Sequence, residues 1–432
     1  MKLTIFRGSN EVGGNCVEIE AGKTRIILDV GMPLFDNARR PHDGFSLGRM
    51  TTNELHAKGI LPKVQGLFSG CETPDAILLS HAHLDHVGLL KHTQPSIPVY
   101  ASRGTSKMML AGGVYANQQE LPRDRFREIK AREPIGIGEL TVTGLPVDHS
   151  IHGCLAFLIE SDDKRILYTG DLRLHGRRQE EHRRIIAELG DTGLDALIVE
   201  GTHFGFDNGN EVSEGGLAEE IADHVAAAQG LVLASFSPQN VDRLNSFIRA
   251  ANRSGRTFVV DAYTAFVLHL VSAEAELENP LRSGNGRLYL PDSLKQKIER
   301  KGTNRANELF RDAEISLSEI LDSPGDFMMV FRPSMLADFA GKLPPNTLCL
   351  YSTWHGYSEG TDWQDVLKSL DAAGGELVHV HTSGHALSTD IVEFTRSINA
   401  ERIIPIHSFE PEQFNSHFDN VTLSEDGVPI EL

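Results

Sequence analysis

Ser80-His81-Ala82-His83-Leu84-Asp85-His86 concentrates five residues capable of acid–base or metal chemistry in seven positions. The preceding Pro74-Asp75-Ala76-Ile77-Leu78-Leu79 ends in an apolar run that reads as a buried strand, so the histidines fall in the loop at its C-terminal end. Val87-Gly88-Leu89-Leu90-Lys91 then reads as a helix start. In an extended loop His81, His83 and Asp85 point the same way at two-residue spacing while His86 points elsewhere, so one loop offers ligands to two ions. Imidazoles with a carboxylate suit zinc, and also manganese or iron. The competing reading is a polar turn with exposed histidines, in a chain that holds 19 of them. The position directly after a strand favours the metal site.

Size and charge bound what such a site can belong to. At 432 residues the chain exceeds one ordinary core and points to two domains or to one carrying a large insertion. A net charge of −19 argues against nonspecific coating of nucleic acid, so any such contact has to come from local basic surface. The four cysteines, Cys16, Cys71, Cys154 and Cys349, lack C-x-x-C spacing, which argues against a disulfide scaffold or a zinc knuckle. No apolar run reaches the roughly 18 residues of a membrane span, and the N-terminus enters a strand directly, so the expected location is the cytoplasm with no membrane contact.

In chain order, Leu3-Thr4-Ile5 and Cys16-Val17-Glu18-Ile19 read as paired strands across a glycine-rich turn. Arg25-Ile26-Ile27-Leu28 ends in Asp29, a carboxylate placed to orient a metal-bound histidine from behind. Residues 32–73 lack sustained periodicity and form a candidate lid. Arg123, Arg125, Arg127, Lys130 and Arg132 form a basic cluster, read as a solvated charged face because acids are interleaved. Three further strand ends then carry polar groups: Asp148-His149-Ser150, Gly170-Asp171 and Glu200. Polar groups just past successive strands build a site along one sheet edge. Residues 215–360 alternate helices and apolar strands, the pattern of a parallel sheet. Near the end, Thr382-Ser383-Gly384-His385 suits close approach to a phosphate at a strand-to-helix turn, and Ile403-Ile404-Pro405-Ile406 ends at His407.

Taken in order, Gly13-Gly14-Asn15, the H-x-H-x-D-H loop, Asp148-His149-Ser150-Ile151, Thr169-Gly170-Asp171, Glu200, Ser383-Gly384-His385 and Pro405-Ile406-His407 resemble the metallo-β-lactamase superfamily. Within it they resemble the β-CASP branch of nucleic-acid-processing enzymes, in particular its ribonuclease J-like and polyadenylation-endonuclease-like nucleases. The resemblance covers most of the chain. It implies an α/β fold, an αββα sandwich with an inserted β-CASP α/β domain: residues 1–205 the first part, 206–360 the insertion, 361–432 the return. It implies that His81, His83 and His149 hold one ion, that Asp85, His86 and His407 belong to a second, and that Asp171 bridges both. His152 competes with His149, but the sequence context matches the earlier residue. The implied cofactors are two divalent ions, zinc with manganese as the alternative. His385, Asp85 and Glu200 are the implied catalytic residues, and Thr382, Ser383 and Gly384 the substrate-binding ones. His407 in its motif resembles the branch members that act on RNA, where DNA nucleases commonly carry valine.

The mechanism this implies is hydrolysis of RNA phosphodiesters, with the ions supplying a hydroxide and His385, of ordinary pKa near 6.5, protonating the leaving oxygen. Three other classes fit in part: a DNA nuclease of the same branch, a small-ester or thioester hydrolase, and a catalytically silent binding subunit. Arg173, Arg177 and Arg178 are candidates for basic RNA-facing surface. The chain ends soon after His407, without the further C-terminal domain of ribonuclease J, so that family's mode of dimerisation does not carry over, and a homo-oligomer is compatible with the sequence without being required by it. Tyr351-Ser352-Thr353-Trp354-His355-Gly356 departs from the branch's Gly-rich loop. Trp354 reads as a core residue, with base stacking as the alternative.

Overall fold

The computed structural model describes the chain except residues 37, 191, 206–211 and 302–307. In chain order the strands are β1 (Lys2–Arg7), β2 (Cys16–Ala21), β3 (Thr24–Leu28), β4 (Ala76–Leu78), β5 (Val99–Ala101), β6 (Phe126–Glu128), β7 (Pro134–Ile137), β8 (Leu140–Pro146), β9 (Leu155–Glu160), β10 (Arg165–Tyr168) and β11 (Ala196–Glu200). They continue as β12 (Val232–Ser235), β13 (Thr257–Val260), β14 (Gly286–Leu288), β15 (Phe327–Val330), β16 (Leu348–Tyr351), β17 (Glu376–His379), β18 (Ile403–Ile406) and β19 (Pro429–Glu431). Two compact units result: Met1–Asn210 with Gly384–Leu432, and Glu211–Ser383.

The expected first boundary at 206 lies outside the described residues. The expected return at 361 is too early. Helix Thr361–Ala372 and β17 belong to the second unit, because β17 hydrogen-bonds in parallel to β16 and Trp363, Val366 and Leu370 fill that unit's core.

The first unit contains two sheets, ordered β19-β1-β2-β3-β4-β5-β6 and β18-β11-β10-β9-β8-β7. Alternate residues fix which face is buried between them. Leu3, Ile5, Val17, Ile19, Ile26 and Leu28 from one sheet share a core with Phe157, Ile159, Ile166, Tyr168 and Ile198 from the other. The register pairs Leu3 with Ile19, as the alternation of the N-terminal strands requires. Helices Gln179–Leu189 and Ser388–Ile398 pack on each other, and the second also lies against β11.

Strand direction places the chemistry. β3 and β4 run parallel, and so do β10, β11 and β18. β8 shares their direction, since β9 is antiparallel to both β8 and β10. The segments that follow β4, β8, β10, β11 and β18 carry His81, His149, Asp171, Thr202 and His407.

Residues 32–73 are more ordered than their composition suggests. They contain helices Gly44–Arg49 and Thr52–Ala57, the second opened by a reciprocal Thr51–Glu54 capping box, a T-x-x-E signature outweighed by the lack of longer periodicity. The basic cluster also resolves differently: Arg125 is buried and donates to Ile97 O and Thr93 Oγ1, and Arg132 pairs with Glu181 and Glu188.

The second unit is an all-parallel sheet, β14-β13-β15-β12-β16-β17, as the helix–strand alternation predicts. A fully buried ion pair, Arg243 Nε to Glu214 Oε1 at 2.9 Å, joins two of its helices, where the guanidinium also reaches the carbonyl of Ser352. The core tryptophan is Trp363. Trp354 is 52% exposed, which overturns its reading as a core residue.

Candidate metal centre

The H-x-H-x-D-H loop is built from its backbone outward. His83 retains extended geometry and caps helix Leu84–Val87, so Asp85 and His86 lie on the first helical turn. The loop therefore sorts its ligands differently from an extended chain: His81 and His83 face one group, and Asp85 joins His86 in another. The turn is held by the glycine-rich N-terminal loop, where Gly14 N and Asn15 N both donate to Asp85 O, at 3.0 and 3.1 Å. Gly31 has to be glycine, because a Cβ there would lie 1.8 Å from that same carbonyl oxygen.

Behind the loop sits Asp29, fully buried, with four donors on its carboxylate. Ser80 N reaches Oδ1 at 2.7 Å, while Ser80 Oγ at 2.7 Å, Tyr168 OH at 2.7 Å and His86 Nδ1 at 2.8 Å converge on Oδ2. These bonds decide tautomers. His86 donates through Nδ1, which leaves its Nε2 lone pair facing Asp171 Oδ2 at 3.1 Å. Ser80 Oγ gives its one proton to Asp29, so it accepts from His81 Nδ1 at 3.0 Å, and the His81 lone pair is on Nε2. His149 Nδ1 donates to the Gly384 carbonyl at 2.5 Å, which again frees Nε2.

Two ligand clusters follow. His81 Nε2 and His149 Nε2 each lie 3.1 Å from His83 Nδ1. Nitrogens bound tetrahedrally to zinc at about 2.0–2.1 Å sit about 3.3 Å apart, so this spacing fits one ion. The second cluster is Asp85, His86, Asp171 and His407, with His407 Nε2 at 3.2 Å from Asp85 Oδ2 and 3.8 Å from Asp171 Oδ1. Asp171 belongs to both neighbourhoods, since its Oδ2 is 3.7 Å from His81 Nε2 and from His149 Nε2 and 3.1 Å from His86 Nε2. Its Oδ1 is buried with no hydrogen-bond donor among the described residues. A buried anionic oxygen lacking a donor is the signature of a site that takes a cation.

The electrostatics agree with this geometry. Burial holds His81, His83 and His149 below the ordinary histidine range, His83 at about 4, so all three rings are neutral lone-pair donors at neutral pH. Burial also works against a charged His86, but the Asp171, Asp29 and Asp85 carboxylates outweigh it and hold that ring well above the usual value. Carboxylates that keep a buried imidazole protonated form a pocket in which a divalent ion replaces the proton. The buried His/Asp cluster thus fits divalent metal binding.

Beside the second cluster lie Glu200 and His385. Glu200 is fully buried at the end of β11, and its Oε1 accepts from Leu172 N at 2.7 Å. His385 Nδ1 is 3.0 Å from Glu200 Oε2 and 3.8 Å from Asp171 Oδ2. Despite burial, the Glu200 and Asp171 carboxylates raise His385 to about 9. Thr202, passed over in the sequence, has its hydroxyl within 2.6 Å of Glu200 Oε2, 2.8 Å of His407 Nδ1 and 3.1 Å of His385 Nδ1. Its only sequence signal is a hydroxyl two positions after a strand-end glutamate.

The structure brings His81, His83, Asp85, His86, His149, Asp171, Glu200, His385 and His407 together in the first unit, while His152 falls in none of the ligand groups found among the described residues. Gly384 approaches protein, because a Cβ there would lie 2.4 Å from Ser150 Oγ, and its carbonyl orients His149. Thr382 does not present a free hydroxyl. It is buried and donates to Val212 O at 2.7 Å, and it lies with Ser383 in the second unit. Arg173 is not surface either. It is fully buried, with Nε on Asp148 Oδ1 at 2.9 Å, while Arg178 N also reaches the Asp148 carboxylate, tying the segment after Asp171 to the loop that carries His149.

Residues 57–231 match the model of a beta-lactamase superfamily domain. A crystal structure of a protein of unknown function from Enterococcus faecalis superposes with a TM-score of 0.79 at 23% identity, covering 100% of this chain and 99% of that one. The fold is that of the metallo-β-lactamases. Among curated proteins, ribonuclease J of Mycolicibacterium smegmatis is 23% identical over 100% of this chain and 75% of its own length. Ribonuclease J of Sinorhizobium meliloti is 30% identical over 81% of this chain and 60% of its own length, and that of Pyrococcus abyssi is 23% identical over 94% and 89%. The chain thus spans about three-fifths of one of these relatives, three-quarters of another and nine-tenths of the third. No helix among the described residues is long and apolar enough to cross a membrane.

Proposed function

We propose that the protein is a metal-dependent ribonuclease of the β-CASP branch, hydrolysing RNA phosphodiester bonds at a two-ion centre. The observation that carries this reading is Asp171, whose carboxylate stands between two ligand clusters with one buried oxygen that receives no hydrogen bond from the described residues. In it His81, His83 and His149 hold one ion, Asp85, His86 and His407 the second, and Asp171 both. Zinc is the ion assigned, with manganese the alternative for so carboxylate-rich a second site. When bound, the ions supply a hydroxide nucleophile at neutral pH and charge neutralisation on the phosphate.

The remaining chemistry belongs to the chain. The departing ribose oxygen needs a proton, and His385 is the donor. Its Nδ1 is tied to Glu200, so the transferable proton leaves from Nε2 and Glu200 stabilises the ring in its charged form. Asp85 completes the second ion's ligands and lies across from His407. The similarity to proteins named ribonuclease J supports RNA over DNA as the polymer.

The test is cleavage of end-labelled RNA and of DNA of the same sequence by protein of known metal content. RNA should be cut faster, with about two divalent ions per chain. Equal rates on both polymers would support the DNA-nuclease reading instead, and an ester substrate turned over in preference to either would support a small-molecule hydrolase.

A further inference from the structure

We infer that the Thr202 hydroxyl is a positioning group that sets the tautomer of His407 and couples that ring to the Glu200–His385 pair. The inference rests on the two-ion reading above. A threonine hydroxyl has one proton to give and two lone pairs to accept with. Four partners surround Thr202 Oγ1, all in the first unit: Glu200 Oε2 at 2.6 Å, His407 Nδ1 at 2.8 Å, His385 Nδ1 at 3.1 Å and, more distant, the His407 carbonyl at 3.4 Å. The shortest contact is to a carboxylate oxygen, which can only accept, so the hydroxyl proton goes to Glu200. Toward both rings Thr202 is therefore an acceptor. With His407 Nδ1–H donating to Thr202, the ring's Nε2, which faces Asp85 Oδ2 and Asp171 Oδ1, is left to give its lone pair to an ion bound between them.

Among the described residues no other acceptor reaches His407 Nδ1, and the ring itself is fully buried. Without the hydroxyl, the Nε2–H tautomer becomes competitive, because its proton would point at Asp85 Oδ2 3.2 Å away. That proton occupies the ligand position. The same substitution removes one donor from Glu200 while leaving its bonds from His385 and Leu172 in place. The effect should therefore fall on the second ion more than on the first, whose ligands His81 and His149 take their tautomers from Ser80 and Gly384 and not from Thr202.

The experiment compares wild type with Thr202→Val, which keeps the shape, and Thr202→Ser, which keeps the hydroxyl. Zinc is titrated against a chromophoric chelator to give both affinities, and histidine ring tautomers are read by long-range ¹H–¹⁵N spectra of the zinc-loaded protein. Thr202→Val should lower one of the two zinc affinities, that of the second site, about 10- to 100-fold with the other unchanged, as loss of an orienting partner does, and Thr202→Ser should restore it. Wild-type His407 should show the Nδ1–H form. Equal second-site affinity in Thr202→Val, loss of affinity in Thr202→Ser as well, or an Nε2–H ring in the wild type would overturn the inference; the last needs no variant to fold. A wild type that binds fewer than two ions would instead defeat the two-ion reading.

Discussion

Asp29→Asn separates orientation of a ligand from ligation itself. The wild-type carboxylate accepts four hydrogen bonds, three on Oδ2 and one on Oδ1. An asparagine keeps one acceptor oxygen. With that oxygen in the Oδ2 position, the amide NH₂ faces the Ser80 N–H donor; flipped, it faces three donors at once. At best one buried backbone donor is left unmet, costing about 1–3 kcal/mol of stability. The metal consequence is separable. His86 still has an acceptor for Nδ1, but a neutral and misplaced one, so its Nε2 is a poorer and less fixed ligand. Affinity for the second ion should fall about 10- to 100-fold, equivalent to about 1.4–2.7 kcal/mol, with the first ion affected less. Thermal unfolding of the metal-free protein gives the first quantity, and chelator competition at constant pH gives the second. A variant that is destabilised yet binds both ions with wild-type affinity would refute the orienting role and leave Asp29 as packing alone.

His385→Ala should retain both ions and lose about 10²- to 10⁴-fold in kcat, with part of the loss recovered on a substrate carrying a better leaving group; a variant that sheds an ion would identify His385 as a ligand. Acid should weaken the first ligand cluster in a defined window. His83 is depressed from 6.5 to about 4, so in the folded protein its ring stays a neutral ligand until the pH approaches 4, while the unfolded chain takes up that proton from about 6.5 downward and folding stability falls between 6.5 and 4; stepwise dialysis should show the first ion held by still-folded protein to about pH 4 and released below it, and release already near pH 6 would contradict it. Trp354 is the exposed member of the two tryptophans, Trp363 being 7% exposed. If bases stack on it, single-stranded oligonucleotide should quench fluorescence in wild type and not in Trp354→Phe, with binding weakened by about 1–3 kcal/mol; identical titrations would leave Trp354 as an ordinary surface residue.

Much of this molecule is written locally. Alternation over the N-terminal strands and the helix–strand rhythm of the second unit specify sheets because burial on one face or two is a property of neighbouring positions, and the polar residues at strand ends mark the site for the same reason. The loop from His81 to His86 announces metal chemistry through residue type and spacing alone. What the sequence could not specify is decided by partners far apart in the chain. Asp85 and His407 meet across 322 residues, Tyr168 reaches Asp29 across 139, and Glu200 meets His385 across 185. Such contacts choose His149 over His152, assign the metal-facing nitrogen of His81, His86 and His149, and bury Arg173 against Asp148 where the sequence suggested basic RNA-facing surface. They also carry the second unit on to Ser383, since a strand's membership is settled by which backbone it hydrogen-bonds. A single strand encodes which of its faces is apolar, but a hydrogen bond needs a donor and an acceptor at one point in space, and only the folded chain supplies both.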